Sequence, residues 1–284
     1  VPFTLSHAAA VLPAVRGDGS GRGRLVPAVL VAGSFAPDMT YYTAGVVPGA
    51  MEFGVFTHSF TGVLTFDVLV AWALVGLWLV LREPSVALLP RARQGRVAGL
   101  LRCGTPRREP DAALALRWYA SAVLGALTHI GWDAFTHHDR WGVRLLPALG
   151  RDVGGTPLFT YAQYGTSAAA AVVITVFVVV ALRRTPPAEP VGVPPLSRAD
   201  RWLAAAVIGG CAVLAAGQRA ARWWAYRGSA GNPWELVPTL CFGAGAGLAL
   251  GLALYAVGVR VWRPAPVRPG PGAGRTEPSR PAAR

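Results

Sequence analysis

Five stretches of this chain are long and apolar enough to be read as membrane spans, and that reading decides most of what it can fold into. They cover residues 60–82, 114–135, 160–182, 201–220 and 236–262. A helix needs about 20 residues to cross the hydrocarbon layer. Inside lipid every backbone polar group must be satisfied within the protein, which leaves helices as the structure for isolated apolar segments. The third stretch, with its SAAAAVVITVFVVVAL run, is the clearest of the five. The fifth contains GAGAGLALG, whose small residues suit close helix packing and equally reflect an Ala/Gly-rich composition. The expected fold is an all-α polytopic bundle of about five spanning helices in a cell membrane.

Charge supports the same class. Only 14% of residues are charged, against about 25% in soluble domains. Every basic residue is arginine, and the net charge of +13 reads as membrane-orienting arginine rather than as a nucleic-acid surface. The connection 82–117 holds eight arginines, 183–201 four and 260–284 six, whereas 136–159 and 219–235 hold three each. The positive-inside rule then predicts that the arginine-rich connections and the C-terminus are cytoplasmic. Cys103, Cys211 and Cys241 form no CxxC pair and read as unpaired, two of them inside apolar segments. The first residues lack a basic region and a long apolar core, so no cleavable signal peptide is expected.

Four regions follow. Residues 1–182 form a motif-bearing membrane domain, 183–200 a Pro-rich cytoplasmic linker, 201–262 a C-terminal helix pair, and 263–284 an Arg/Pro tail too polar to bury a core. Within the first region, TLSHAAAVLP and VPAVLVAGSFAPD read as short half-embedded helices, the second stopped by Pro37.

All five histidines fall in the first half, in polar motifs set among apolar residues: His7, His58, His129, His137 and His138. Asp38 and Asp133 belong to the same set. Imidazole and carboxylate are the donors that hold zinc and similar divalent ions, and they are costly in apolar surroundings. His129, Asp133 and His137 are spaced by four, which puts them on one helix face, as metal ligands or as a hydrogen-bonded histidine–aspartate pair. Asp38 reads as a ligand or catalytic base, or as a cap for the next helix. His58 reads as a ligand or an interfacial histidine, and His138 as solvent-facing. The arginine pattern places His58 and the His129–His138 motif at one membrane face, the outer one. Asp67, inside the first span, calls for a buried partner such as Arg117, Arg219 or a hydroxyl. Trp223, Trp224, Tyr226 and Trp234 fit an interfacial belt.

The segments PFTLSHAAAVLP, GSFAPDMTYY, FTHSF and THIGWDAFTHHDRWGV resemble a family of uncharacterised bacterial integral membrane proteins over the first 150 residues. Their order is also similar to membrane-bound metal-dependent hydrolases related to the LexA-binding inner-membrane type, which show a GH start, PDxDH, HRGFTHS and a late HxxxD. That resemblance implies metal ligands at His7, Asp38, His58, His129 and Asp133, with catalytic roles for Asp38 and Asp133. Thr40 and Tyr41 stand where that group has its second aspartate and a histidine, and Phe53 replaces the first histidine of HRGFTHS. His137 or His138 can stand in for one missing ligand, and a single ion site is expected. The expected activity is metal-dependent hydrolysis of an ester or phosphoester, zinc being the leading ion and an anionic lipid a candidate substrate, with Arg140 and Arg144 nearby. The alternative is a non-catalytic scaffold or partner-binding protein whose histidine–aspartate cluster is structural.

Overall fold

The computed structural model describes residues 3–104, 111–228 and 236–263. Those residues form twelve α-helices, a few 3-10 turns and one two-residue hairpin. The N-terminal part is built from short pieces: α1 (Ala8–Val11), α2 (Pro27–Phe35), α3 (Met39–Thr43), α4 (Ala50–Thr57) and α5 (Phe60–Leu64). Next come α6 (Phe66–Ala87), α7 (Arg91–Cys103), α8 (Ala112–Thr136) and α9 (Trp141–Leu145). The hairpin of β1 (Asp152–Val153) and β2 (Thr156–Pro157) leads into α10 (Leu158–Arg184), α11 (Arg198–Arg227) and α12 (Leu236–Trp262).

Three of these helices, α10, α11 and α12, are long and apolar enough to cross a membrane, where five spans were expected. Helices do form at the other two places, α6 with 22 residues and α8 with 25. They differ in what they carry. Asp67, Arg82 and Glu83 lie on α6, and Arg117, His129 and Asp133 on α8. Asp67, Arg82, His129 and Asp133 turn inward and are buried, while Leu69, Leu77 and Val80 of α6 and Leu116, Leu124 and Leu127 of α8 stay exposed. The expected first span is also broken at Thr65, whose hydroxyl bonds back to the Thr61 carbonyl at 2.6 Å. Such back-bonding competes with the helical ladder.

The core lies where α2 crosses α6 and α8. Val26, Val29, Ala32 and Ala36 from the α2 region meet Val68, Ala71 and Val75 of α6 and Ala122 of α8. Small residues set the spacing. A Cβ on Gly33 would stand 2.4 Å from the Ala122 carbonyl oxygen, and one on Gly125 only 2.3 Å from that of Leu30. The Ser121 hydroxyl accepts from the Val26 amide at 3.0 Å and fixes where α2 begins against α8. Of the two readings of the fifth stretch, close packing is the one found: Gly243, Gly247 and Gly251 form the face of α12 that touches α11.

The short helices are interrupted as the prolines require. The α2 ladder ends at Phe35, and Pro37 opens a 3-10 turn that contains Asp38. The Pro-rich stretch before α11 packs as extended chain, with Val193 buried against Val86, Ala87 and Ala98. Ser197 and Asp200 then form a capping box that starts α11. The expected tail lies outside the described residues, apart from Arg263, which pairs with Asp200 at 3.0 Å. Trp224 and Tyr226 are exposed at the end of α11, and Trp234 lies outside the described residues.

Asp67 departs from expectation. Its carboxylate is buried, and neither oxygen has a hydrogen-bond partner. Arg219 instead donates to the Tyr41 carbonyl at 2.6 Å.

Candidate metal centre

Three separate segments bring donor atoms to one point. The turn after α2 supplies Asp38, the end of α4 supplies His58, and the last turns of α8 supply His129 and Asp133. Thr57 ties the first two together, its hydroxyl donating to the Pro37 carbonyl at 2.8 Å. Ser59 caps α5 by accepting from Gly62 N at 3.1 Å, which turns the chain immediately after His58. His129 and Asp133 share a face because they are four residues apart on a continuous helix.

The four donors form a compact shell. His58 Nε2 lies 3.5 Å from Asp38 Oδ1 and 3.6 Å from Asp133 Oδ2. His129 Nε2 lies 3.6 Å from Asp38 Oδ1 and 3.5 Å from Asp133 Oδ2. All four ligand atoms fall within 4.8 Å of one another. A tetrahedral shell with bonds of about 2.1 Å has edges of about 3.4 Å, so the spacing fits one divalent ion. Direct hydrogen bonds do not account for it, because these separations exceed the usual 2.7–3.2 Å range.

The imidazoles are oriented for that task. His129 Nδ1 donates to the Ser34 carbonyl at 2.7 Å, and His58 Nδ1 donates to the Gly54 carbonyl at 2.8 Å. Each Nε2 is thereby left as a lone pair facing the carboxylates, the arrangement that metal-binding histidines adopt. Both Nε2 atoms are buried without a hydrogen-bond partner, as is Asp133 Oδ1. Unsatisfied buried polar atoms cost about 1–3 kcal/mol each, and a bound ion removes that penalty for the two imidazoles. Asp38 is fixed by its other oxygen, which accepts from the Thr4 hydroxyl at 2.5 Å.

Two further histidines flank Asp133 rather than joining the four. His7 Nε2 lies 3.5 Å and His137 Nδ1 3.4 Å from Asp133 Oδ1. The His7 ring stacks on His129 with centroids 3.7 Å apart. The Gln163 amide on α10 donates to His137 Nε2 at 3.1 Å, which leaves the His137 proton on Nδ1, towards Asp133. His137 adopts extended backbone beyond the last turn of α8, so the helical face ends at Asp133. His138 points outward, its side chain 76% exposed.

Electrostatics separate the outer pair from His58. Burial, with His129 beside it, presses His7 down to about 3, and burial presses His137 down to about 4. Both rings are neutral at ordinary pH. Burial acts on His58 in the same sense, but the Asp133 and Asp38 carboxylates that face it outweigh this and raise that imidazole. Burial pushes the Asp38 carboxyl up, yet His129 and His58 more than reverse this and hold it below the usual carboxylate range. Two carboxylates facing two imidazoles call for a positive charge between them, which a proton or a metal ion supplies.

Several contributors were invisible in sequence. Ser34 and Gly54 act through backbone carbonyls and so leave no side-chain signature. Gln163 lies in the apolar third stretch, where a single amide was the only signal. Tyr41 packs beside His58, ring centroids 5.6 Å apart, and Arg140 is near enough to act on it electrostatically.

No curated protein and no solved structure matches this chain. Residues 1–257 match the model of a domain of unknown function, DUF4184, and the chain belongs to that family.

Proposed function

We propose that the protein is a membrane-embedded, metal-dependent hydrolase acting on an ester or phosphoester. The observation that carries this reading is the convergence of two unpartnered imidazole nitrogens with one oxygen from each of two buried carboxylates. A divalent ion held there supplies Lewis acidity and, in the case of zinc, lowers the pKa of water to about 7. The remaining chemistry belongs to the chain. Asp133 Oδ1 is the carboxylate oxygen left without a hydrogen bond, and it is the group placed to accept a proton. Neutral His7 and His137 stand beside it to steady or pass on that proton. Thr4 keeps Asp38 directed at the ion by occupying its second oxygen. Arg140, in the electrostatic neighbourhood of Tyr41, provides a cation for an anionic group near the centre.

One observation favours a second reading, a closed structural ion. Four protein donors already suffice for a four-coordinate ion, and all four residues are at most 9% exposed. Structural zinc sites have this closed character, whereas catalytic ones keep a position open. In that case the ion holds α2, α4 and α8 together and nothing is hydrolysed.

Metal analysis of the purified protein tests the common core of both readings. We expect about one divalent ion per chain, lost on His129→Ala and Asp133→Asn. Chelator-sensitive hydrolysis of chromogenic esters or phosphoesters, restored by added ion, then separates the catalytic from the structural reading. Metal-free protein whose stability is unchanged by His129→Ala overturns both.

A further inference from the structure

A cavity of about 270 Å³ opens beside the metal centre, on the side of the spanning helix α12. Phe3, Thr4, Tyr42, Val237, Cys241 and Phe242 contribute to its walls, which are overwhelmingly apolar. Thr4 is the link between the two sites. It lines the cavity, and its hydroxyl holds Asp38. Phe242 makes a second link, since its ring lies 5.5 Å from that of Tyr41 and 5.0 Å from that of Tyr42. Phe3 and Leu5, both lining residues, are 47% and 67% exposed and give the cavity a greasy mouth. Arg140 lies in the neighbourhood of Tyr41. Thr4 thus links the apolar cavity to the candidate ion, and Phe242 links it to Tyr41, the neighbour of Arg140.

We infer that the substrate is a phosphate-headed membrane lipid, with its acyl chain in this cavity and its phosphate between the metal centre and Arg140. Three features carry the assignment. The cavity wall is the first part of a membrane-spanning helix, so a lipid chain reaches it without leaving an apolar medium. At about 30 Å³ per water-sized group, the volume accommodates roughly nine methylenes. An arginine guanidinium is suited to bidentate binding of phosphate oxygens. The inference rests on the hydrolase reading for the reaction, though not for the binding.

Cys241 offers a reporter inside the cavity. In a Cys103→Ser, Cys211→Ser protein held in amphipol, without alkyl detergent, maleimide alkylation of Cys241 is timed against added alkylphosphonates. These carry a phosphate-like head that hydrolysis does not remove. Protection should strengthen about fourfold per added methylene, as expected for burying a chain, and level off near nine carbons. Methylphosphonate should not protect, and alkyltrimethylammonium of equal length should protect less than the phosphonate. Ala244→Phe, which fills the cavity, should slow alkylation without ligand and remove the chain-length dependence. Protection that ignores chain length, or that is unchanged by Ala244→Phe, overturns the acyl cavity. Equal protection by the cationic head overturns the phosphate assignment. His129→Ala distinguishes the two proposals: it should abolish metal binding and turnover yet keep the chain-length series. If the unsubstituted protein shows the series but neither metal nor hydrolysis, the hydrolase reading fails and the lipid cavity stands.

Discussion

At the scale of single residues, the centre depends on what holds the donors as much as on the donors. Asp38 has one oxygen towards the two imidazoles and the other on the Thr4 hydroxyl. Losing such an outer hydrogen bond typically weakens metal affinity 10- to 100-fold. Thr4→Ala should do so here and Thr4→Ser should not, as measured by competition with a chelating dye. Unaltered affinity in Thr4→Ala would remove Thr4 from the centre. Its role was hard to see in advance, because a threonine near the start of a short helix reads first as a cap, and here it caps nothing. His129 and Asp133 were legible for a plain reason: both lie on one continuous helix, where spacing of four means proximity. His137 carried the same spacing, but α8 stops at Thr136, so the ring reaches only the outer oxygen of Asp133. For Asp38 and His58, 20 residues apart and on different elements, motif resemblance was the stronger guide.

At the scale of elements, the crossing of α2 and α8 sets the position of His129. The imidazole Nδ1 bonds to Ser34, one residue after Gly33, while Gly125 sits one turn before His129. Both glycines lie where a Cβ would meet backbone, not a movable side chain. Gly125→Ala should push the helices apart, cost about 1–3 kcal/mol as overpacking does, and lower ion content by lengthening the bond to Ser34. Gly131→Ala is the matched control on the same helix, because a Cβ there meets nothing within 4 Å. Thermal melting with metal analysis of both variants checks this, and equal behaviour of the two would show that the crossing is not tight. The same helices explain why span counting from sequence overshot. α6 and α8 keep Asp67, Arg82, His129 and Asp133 buried on the faces turned to the protein, while other apolar residues on them stay exposed. Apolar content along the chain does not show which face of a helix turns inward; the polar groups on α6 and α8 were the signal that did.

At the scale of the whole molecule, the helices share two ends. One end gathers the candidate centre: the start of α10 through Gln163, the end of α11 through Arg219, and the start of α12 through Phe242. The other gathers arginines on backbone and acid: Arg102 on Val191 O, Arg260 on Val80 O and Arg263 on Asp200. From the positive-inside rule we propose that the arginine end is cytoplasmic and that the centre lies at the outer face. Cysteine accessibility tests this orientation. Cys103 is exposed at the end of α7, on the arginine side, and His138 is exposed at the other end. With Cys211 and Cys241 replaced by serine, an impermeant maleimide should leave Cys103 unlabelled in intact spheroplasts and label it after permeabilisation. A His138→Cys variant lacking Cys103 should label in both states. The reverse pattern would place the centre in the cytoplasm, where a lipid substrate would have to come from the inner leaflet. The metal shell would be unaffected by that outcome, because its geometry depends on α2, α4 and α8 and not on which side they face.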